Sequence, residues 1–492
     1  MSAEKRVVGN TAMVEIVAPP ETPTAPRETF LGLVPVDARL ELTKAPWLRR
    51  LLRSRWTTFV PTALNLFLFL VILAAGVVGT PVGNANIAIV FIWILWWSAL
   101  MLVLVPFASR LWCGMCPLPV LGEWVQRFSI VTRRWHRPLG LSLKWPKKLR
   151  SMWLVNVVFL GVAAFSGIIT TRPWATMALL GSIMLLGTAL FLVYERRTFC
   201  RYLCPVGGFL GLYANFAAIE IRPKSQPVCV GHKSKECILG SMAGHGCPWL
   251  EQPTSIKRNT YCGLCFECFR CCSHDNMGLF ARPFGTDLLV DSHRGLDESW
   301  KAFIMLGAAG VYSATMMGPW GTLKDMANLR SLGGWALFAG GLITLLAGVL
   351  PALHGATAWL SWRLAGRSVP FRRVFTNFTY HLVPIGLLAW IGFSFAILLP
   401  NGSYVIRIIS DPFGWGWNLF GTAHFAWTPV LTSWMPALQA AALLFGFVYS
   451  VDVARKIARQ TFPAPAAAAR AVLPQIVLLA GITAAFLWLF VG

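Results

Sequence analysis

Apolar residues in this chain gather into nine uncharged runs, each long enough to cross a bilayer. They lie at about 57–79, 86–108, 151–171, 173–194, 302–320, 331–360, 377–400, 430–451 and 473–491. The longest stretch between runs is 195–301. It contains a short apolar piece, 206–219, which predicts an interfacial or re-entrant helix. The remainder, about 220–298, is too polar to span. The expected fold class is an all-α polytopic membrane protein of about nine transmembrane helices with a small cytoplasmic domain. Four parts result: an N-terminal tail at 1–56, a membrane domain at 57–219, the polar domain at 220–298, and five further helices at 299–492.

Composition agrees with the runs. Of the 492 residues only 13% are charged, against about 25% in a soluble domain. The net charge of +23 would suggest a nucleic-acid partner in a soluble protein. Its distribution gives another cause. With a cytoplasmic N-terminus, the segments 1–56, 109–150, 195–301, 361–376 and 452–472 are inside, and they hold 39 of the 43 lysines and arginines. Only Arg172, Lys324, Arg330 and Arg407 fall outside. That is the positive-inside pattern. The charge therefore reports orientation and contact with anionic lipid headgroups, with no nucleic acid implied, and the C-terminus is expected outside. Residues 1–27 lack the apolar core of a signal peptide, and the proline-rich 18–26 predicts an extended tail. The tryptophan-rich outer loop 401–429 is expected in the headgroup belt; a docking surface or quinone-binding edge is the alternative.

Eleven of the twelve cysteines stand at ligand spacings. Cys262, Cys265, Cys268 and Cys272 follow the C-x₂-C-x₂-C-x₃-C spacing of a bacterial [4Fe–4S] ferredoxin run, with Ser273 in the place of the usual proline. A zinc ribbon needs C-x₂-C pairs a dozen or more residues apart, so the spacing favours iron–sulfur. In such runs three thiolates hold one cluster and the fourth serves another. Cys247, followed by Pro248, matches the crossing-over ligand. Cys247, Cys262, Cys265 and Cys268 are thus expected to hold one cluster. Cys229, Cys237 and Cys272 remain for a second, with His232 as the expected fourth ligand. Cys271 as the fourth ligand, a three-iron cluster, and a plain surface histidine at His232 are the alternatives. Cys271 is left out because it adjoins Cys272.

Two further motifs stand after apolar runs. Cys113-Gly-Met-Cys116-Pro117 comes after the second, and Cys200-Arg-Tyr-Leu-Cys204-Pro205 after the fourth. Both runs head inward, so both motifs emerge on one face. Each proline stops the chain from continuing as regular helix. The four thiols predict a third cluster at the membrane surface; buried small hydrophobes or a dithiol pair are the alternatives. Cysteines grouped this way suggest a reducing compartment rather than a disulfide framework.

The order Arg110-Leu-Trp-Cys-Gly-Met-Cys-Pro, then Cys-Arg-Tyr-Leu-Cys-Pro-Val-Gly, then ferredoxin cysteines resembles the membrane polyferredoxins of the NapH, NosR and CcoG kind over about residues 57–285. The resemblance implies cytoplasmic [4Fe–4S] clusters on a helical membrane domain. It implies electron passage between the quinone pool or cytoplasm and a partner redox enzyme, or support of oxidase and reductase maturation. This chain departs from it in the two-residue spacer between Cys113 and Cys116, an irregular first ferredoxin motif, and five further spans.

Clusters on one face do not by themselves carry electrons across a hydrocarbon layer of about 30 Å. His354, near the inner end of the sixth run, and His381, near the inner start of the seventh, sit on expected antiparallel neighbours. Intramembrane histidines are functional candidates. Haem b ligation or a quinone contact is the sharper expectation for them, against simple bonding to headgroups or backbone. No C-x-x-C-H, G-x-G-x-x-G or Walker motif is present, so the soluble donor or acceptor is expected to be a protein. The expected function is electron transfer in a bacterial inner membrane between a small cytoplasmic carrier and quinone or a partner redox subunit. The basic inner face suits steering of an acidic carrier. A maturation or sensing factor is the first rival, and predicts an accessible thiol pair. A transporter with structural clusters is the second; it predicts ionisable residues in mid-membrane, and none is found there, His354 and His381 lying near the inner ends of their runs.

Overall fold

The computed structural model describes residues 28–127, 139–292 and 294–492; the tail expected at 18–26 lies outside them. Among the described residues the fold is mostly helical, and seven helices are long and apolar enough to cross a membrane. They are Trp56–Val78, Ile87–Ala108, Pro173–Val193, Leu332–Leu364, Phe371–Asn401, Thr432–Thr461 and Pro465–Val491. Each coincides with a predicted run. The other two runs are interrupted. The third divides at Phe165 into Trp153–Ala164 and Ser166–Thr171. In the fifth, Leu296–Met317 bends by 112° into Gly321–Ala327. The two short pieces meet: a Cβ on Gly167 would lie 2.5 Å from the Ala327 carbonyl oxygen, so the approach needs glycine. Apolar composition registers length along the chain but not a bend, so nine runs correspond to seven long helices, or eight with the bent pair.

Leu64, Phe67, Leu185 and Val477 turn outward and are exposed. Apolar side chains displayed along helices of this length are suited to hydrocarbon, which marks a multi-pass membrane protein. Phe371–Asn401 is the innermost helix, packed against Leu296–Met317 and Thr432–Thr461. At its middle, Trp390 meets the rings of Trp97 (5.1 Å), Phe209 (5.5 Å) and Tyr312 (5.6 Å), and donates to the Met305 carbonyl at 3.0 Å. This aromatic knot joins the first membrane half to the second.

The stretch expected at 206–219 as an interfacial or re-entrant helix is an interior helix, Pro205–Tyr213, with Phe209, Leu210, Leu212 and Tyr213 buried. Its glycine face is the cause. A Cβ on Gly211 would lie 2.9 Å from the Thr260 carbonyl oxygen, so the backbone can sink against the polar domain. The loop after Asp411 caps the turn between the first two spans: Phe413 accepts from Thr80 N (2.8 Å) and Pro412 from Ile87 N (3.0 Å). Trp415, Trp417 and Phe420 are exposed on it.

The polar domain is built on a three-stranded antiparallel sheet, with Met277–Ala281 between Leu40–Glu41 and Ile219–Pro223. One strand comes from the N-terminal segment, whose Pro46–Arg53 helix packs on Glu267–Cys271. Residues 28–53, expected as tail, are therefore a folded part of this domain. Beneath the sheet, Arg282 pairs with Glu220 (2.7 Å) and Asp287, while Arg222 reaches Glu220 at 3.1 Å. Asp287 also accepts from Asn259 N at 2.6 Å. Burial works to raise the Asp287 pKa, but Arg282 and Arg222 outweigh it and hold the carboxyl below its ordinary value.

Candidate functional site

The two Cys-Pro motifs fold as short helices, Leu111–Gly114 and Thr198–Tyr202, that end near their prolines. Cys204 caps the next helix, its Sγ accepting from Gly207 N at 3.3 Å. Cys113, Cys200 and Cys204 are buried, and Cys116 is half-buried. The structure brings all four together. Burial foremost, then Cys204, Cys116 and Cys113, push the Cys200 thiol well above its usual pKa. Burial and Cys113 push Cys204 up to about 11. Thiols packed this way resist ionising alone, and a bound metal reverses that balance by demanding thiolates.

The surroundings are cationic. Arg197 donates to the Cys113 carbonyl and pairs with Glu123 at 2.6 Å. Arg110 donates to the Thr260 carbonyl and lies 4.4 Å over the Trp249 ring, yet its buried Nε and Nη2 have no acceptor. Lys301 Nζ is buried without an acceptor as well. A Cβ on Gly207 would sit 3.4 Å from both Arg110 Nη2 and the Cys204 Cβ, and one on Gly208 would sit 3.1 Å from Lys301 Nζ. Two buried basic groups with unsatisfied donors and no acidic partner are costly to charge alone beside four thiols. They fit a net-negative group such as a cubane held by four thiolates. Arg110 stood in the quoted motif without a role, and Lys301 and Arg197 gave no sequence signal, because only the fold sets them beside the cysteines.

In the ferredoxin run, Leu264 (φ 47°) and Phe266 (φ 60°) take left-handed backbone and wrap the chain tightly around its thiols. Burial, then Cys265, Cys262, Cys247 and Cys237, push Cys268 well above its usual pKa, so Cys247 lies near the run, as does Cys237. The two groups adjoin: a Cβ on Gly114 would lie 3.1 Å from the carbonyl oxygens of Gly263 and Leu264.

Cys237 is raised by burial and then by Cys229, Cys272 and Cys271, which gathers the third group. Cys271 turns to the 241–246 loop, its sulfur 2.6 Å from where a Cβ on Gly244 would stand. His232 Nδ1 lies 3.1 Å from the Val228 carbonyl oxygen, and its ring sits 4.8 Å from that of His274. Sequence reasoning missed Asn276. Its side-chain amide donates to Cys229 Sγ at 3.3 Å, and its backbone N to Cys272 Sγ at 3.4 Å. Donors to cluster sulfurs favour the reduced, more negative state. Asn276→Leu is therefore expected to lower one cluster's potential by roughly tens of millivolts, leaving the others unchanged in an EPR-monitored redox titration.

Among the described residues no three His, Cys, Asp or Glu side chains converge tightly enough to hold a single metal ion.

His354 and His381 are wholly buried, with ring centroids 6.0 Å apart. His354 Nε2 donates to the Phe375 carbonyl at 3.0 Å, and His381 Nδ1 to that of Phe378. His354 Nδ1 and His381 Nε2 have no partner. The Phe303 and Phe375 rings close on His354 at 5.2 and 5.0 Å.

The sequence model of a family described as a 4Fe–4S binding domain matches residues 89–138 and 175–223. One match holds Cys113 and Cys116, the other Cys200 and Cys204, so a single unit of helix plus cysteine pair occurs twice. Those matches mark an iron–sulfur protein. Two uncharacterized proteins of Methanocaldococcus jannaschii are similar. MJ0749 is 27% identical over 172 residues, which is 35% of this chain and 64% of that protein. MJ0750 is 26% identical over 189 residues, 35% of this chain and 73% of that protein. The methylamine utilization ferredoxin-type protein MauN of Paracoccus denitrificans is 28% identical over 162 residues, 28% of this chain and 54% of that protein. The chain thus spans between about half and three-quarters of the curated relatives it matches. No solved structure matches it.

Proposed function

We propose that the chain is a membrane-bound electron-transfer protein working between a small cytoplasmic carrier and quinone or a partner redox subunit. One observation carries this: the Cys-Pro motifs of two separately matched segments form one buried group directly against the ferredoxin run. Bound at these cysteines, [4Fe–4S] clusters supply one-electron transfer. Cys113, Cys116, Cys200 and Cys204 would hold one, Cys247, Cys262, Cys265 and Cys268 another, and Cys229, Cys237 and Cys272 a third. His232 is the proposed fourth ligand of that last group, and Cys271, beside Cys237, is the other candidate. Arg110, Lys301 and Arg197 supply counter-charge, and burial excludes water. The similarity to MauN, whose name calls it ferredoxin-type, supports the same class of function. A maturation factor would need an accessible thiol pair, and the burial of Cys113, Cys200 and Cys204 weighs against it.

The polar domain would face the cytoplasm of a bacterial inner membrane, where the basic segments also lie. Reporter fusions after Lys148, Arg282 and Arg459 are expected to read cytoplasmic, and those after Asn84, Ser403 and Gly492 external. Reduced soluble ferredoxin is then expected to bleach the cluster absorbance in inside-out vesicles and not in right-side-out ones. A cytoplasmic C-terminus, or bleaching from the outer face, overturns the orientation.

A further inference from the structure

The last two membrane helices, Thr432–Thr461 and Pro465–Val491, are joined by only three residues, and a groove opens beside that turn. It holds about 630 Å³, within the range of ligand sites. Two arginines, Arg455 and Arg459, line it, and its other walls are apolar, with Ala468, Val472, Leu473 and Ile476 among them. No acidic residue is among those that line it.

The apolar pattern of the chain puts this groove across the edge of the hydrocarbon layer. The eighth run ends at about 451 and the ninth begins at about 473. Arg455 and Arg459 therefore stand about 6 and 12 Å along the helix past the end of the eighth run. That is the level of lipid phosphates, since the headgroup layer adds roughly 5–8 Å to each face of the core. Val472, Leu473 and Ile476 stand at the start of the ninth run, where acyl chains begin.

The two arginines are one helical turn apart, at i and i+4, so they share a face. Both are exposed, and neither guanidinium has a hydrogen-bond or ion-pair partner among the described residues. The neighbouring cation is committed elsewhere: Lys456 pairs with Asp452 and lies 5.0 Å over the Phe30 ring. Asp452 also accepts from Leu31 N at 3.2 Å, and the Tyr449 hydroxyl donates to the Phe284 carbonyl at 2.5 Å. One face of this helix end thus holds the polar domain. The next face leaves two cations over an apolar groove.

We propose that this groove binds an anionic phospholipid, its phosphate bridging Arg455 and Arg459 and one acyl chain lying along Val472, Leu473 and Ile476. The occupant needs an anion at headgroup level and an apolar tail that runs into the hydrocarbon from that end. A phospholipid has both, and a soluble phosphate has no tail. With no acidic residue in the groove to receive a choline or ethanolamine ammonium, a net-negative headgroup is selected. Basic residues attract anionic lipid over a whole membrane face; the groove retains one molecule. Bound there, the lipid anchors at the headgroup plane the helix end that carries the polar domain. The binding does not depend on electron transfer.

The test is native mass spectrometry of the full-length protein in detergent with dioleoyl phosphatidylglycerol, dioleoyl phosphatidylcholine or inorganic phosphate added. One phosphatidylglycerol per chain is expected to stay bound under activation that strips phosphatidylcholine. Arg455→Gln with Arg459→Gln, both exposed positions, is expected to weaken that binding at least roughly tenfold, as losing two cations near a headgroup implies. Ala469→Trp fills the groove from an exposed lining position and is expected to displace the lipid with both arginines intact. Arg470→Gln removes an exposed arginine that does not line the groove and is expected to leave binding unchanged. Thermal unfolding of each variant checks the fold, and if Ala469→Trp unfolds, the arginine pair decides. Binding indifferent to the double arginine variant, binding weakened equally by Arg470→Gln, or no preference over phosphatidylcholine overturns the site. Displacement of the lipid by inorganic phosphate also overturns it and marks a soluble-anion site instead.

Discussion

Replacing Cys113 or Cys200 by serine is expected to remove the same roughly four irons from the protein. The two cysteines lie in separate segments, after different helices, so a shared loss is not a consequence of sequence proximity. It comes from the packing. Cys200 is buried beside Cys204, Cys116 and Cys113, and Gly207 lets its turn close on Arg110. Losing one of four thiolates leaves an iron without its ligand and two buried cations without full compensation, so the whole cluster is expected to go rather than one iron. Iron analysis and low-temperature EPR of the reduced protein check this. The ferredoxin-run signals are expected to persist in both variants, because Cys113 and Cys200 are not among the thiols that act on Cys268. If each variant loses different iron, or neither loses any while the four thiols alkylate readily, the motifs are independent dithiol pairs.

Asp287→Asn is expected to destabilise the polar domain by about 3 to 5 kcal/mol, the usual cost of removing one partner from a buried ion pair. Asp287 answers Arg282 and Arg222 and also caps the Asn259 N–H, which fixes the approach to Cys262. Its folded pKa is depressed. The stability it contributes is therefore fully present above its unfolded value, about 4, and is lost as pH falls through the lower folded value. The gap between wild type and Asp287→Asn is expected to be constant at neutral pH and to shrink in acid. Denaturant-driven loss of cluster absorbance, followed at several pH values, measures it. A gap that is small at pH 7 or grows on acidification contradicts this role.

The parts of this protein that composition controls were legible in the sequence. Apolar runs located all seven long helices, because lipid demands length and hydropathy and both are local, though the ends at Thr461 and Pro465 lie ten and eight residues beyond the runs. The cysteine spacings suggested three sets of thiols, because cluster ligation imposes short fixed intervals; in the fold members of each set neighbour one another, but Cys237 also lies near Cys268, and Cys271 near Cys237. Three-dimensional closure was not legible. Nothing local marks Phe165 as the end of a helix, or shows that Gly167 backs onto Ala327. The stretch at 206–219 has the hydropathy of an interfacial helix, and its glycines decide that it goes inside. Leu40–Glu41 is too short to register as a strand and exists only because Met277–Ala281 offers an edge. Lys301 reads as a charge at a helix start, and becomes a candidate counter-ion only beside Cys204.

The central claim is that three cysteine groups hold three cubanes in one chain. The most direct measurement is iron quantification with Mössbauer spectroscopy on anaerobically purified, ⁵⁷Fe-labelled full-length protein. About twelve irons per chain, all with [4Fe–4S] parameters, is the result predicted. About eight irons with the same parameters, or spectra lacking [4Fe–4S] signals, would contradict it.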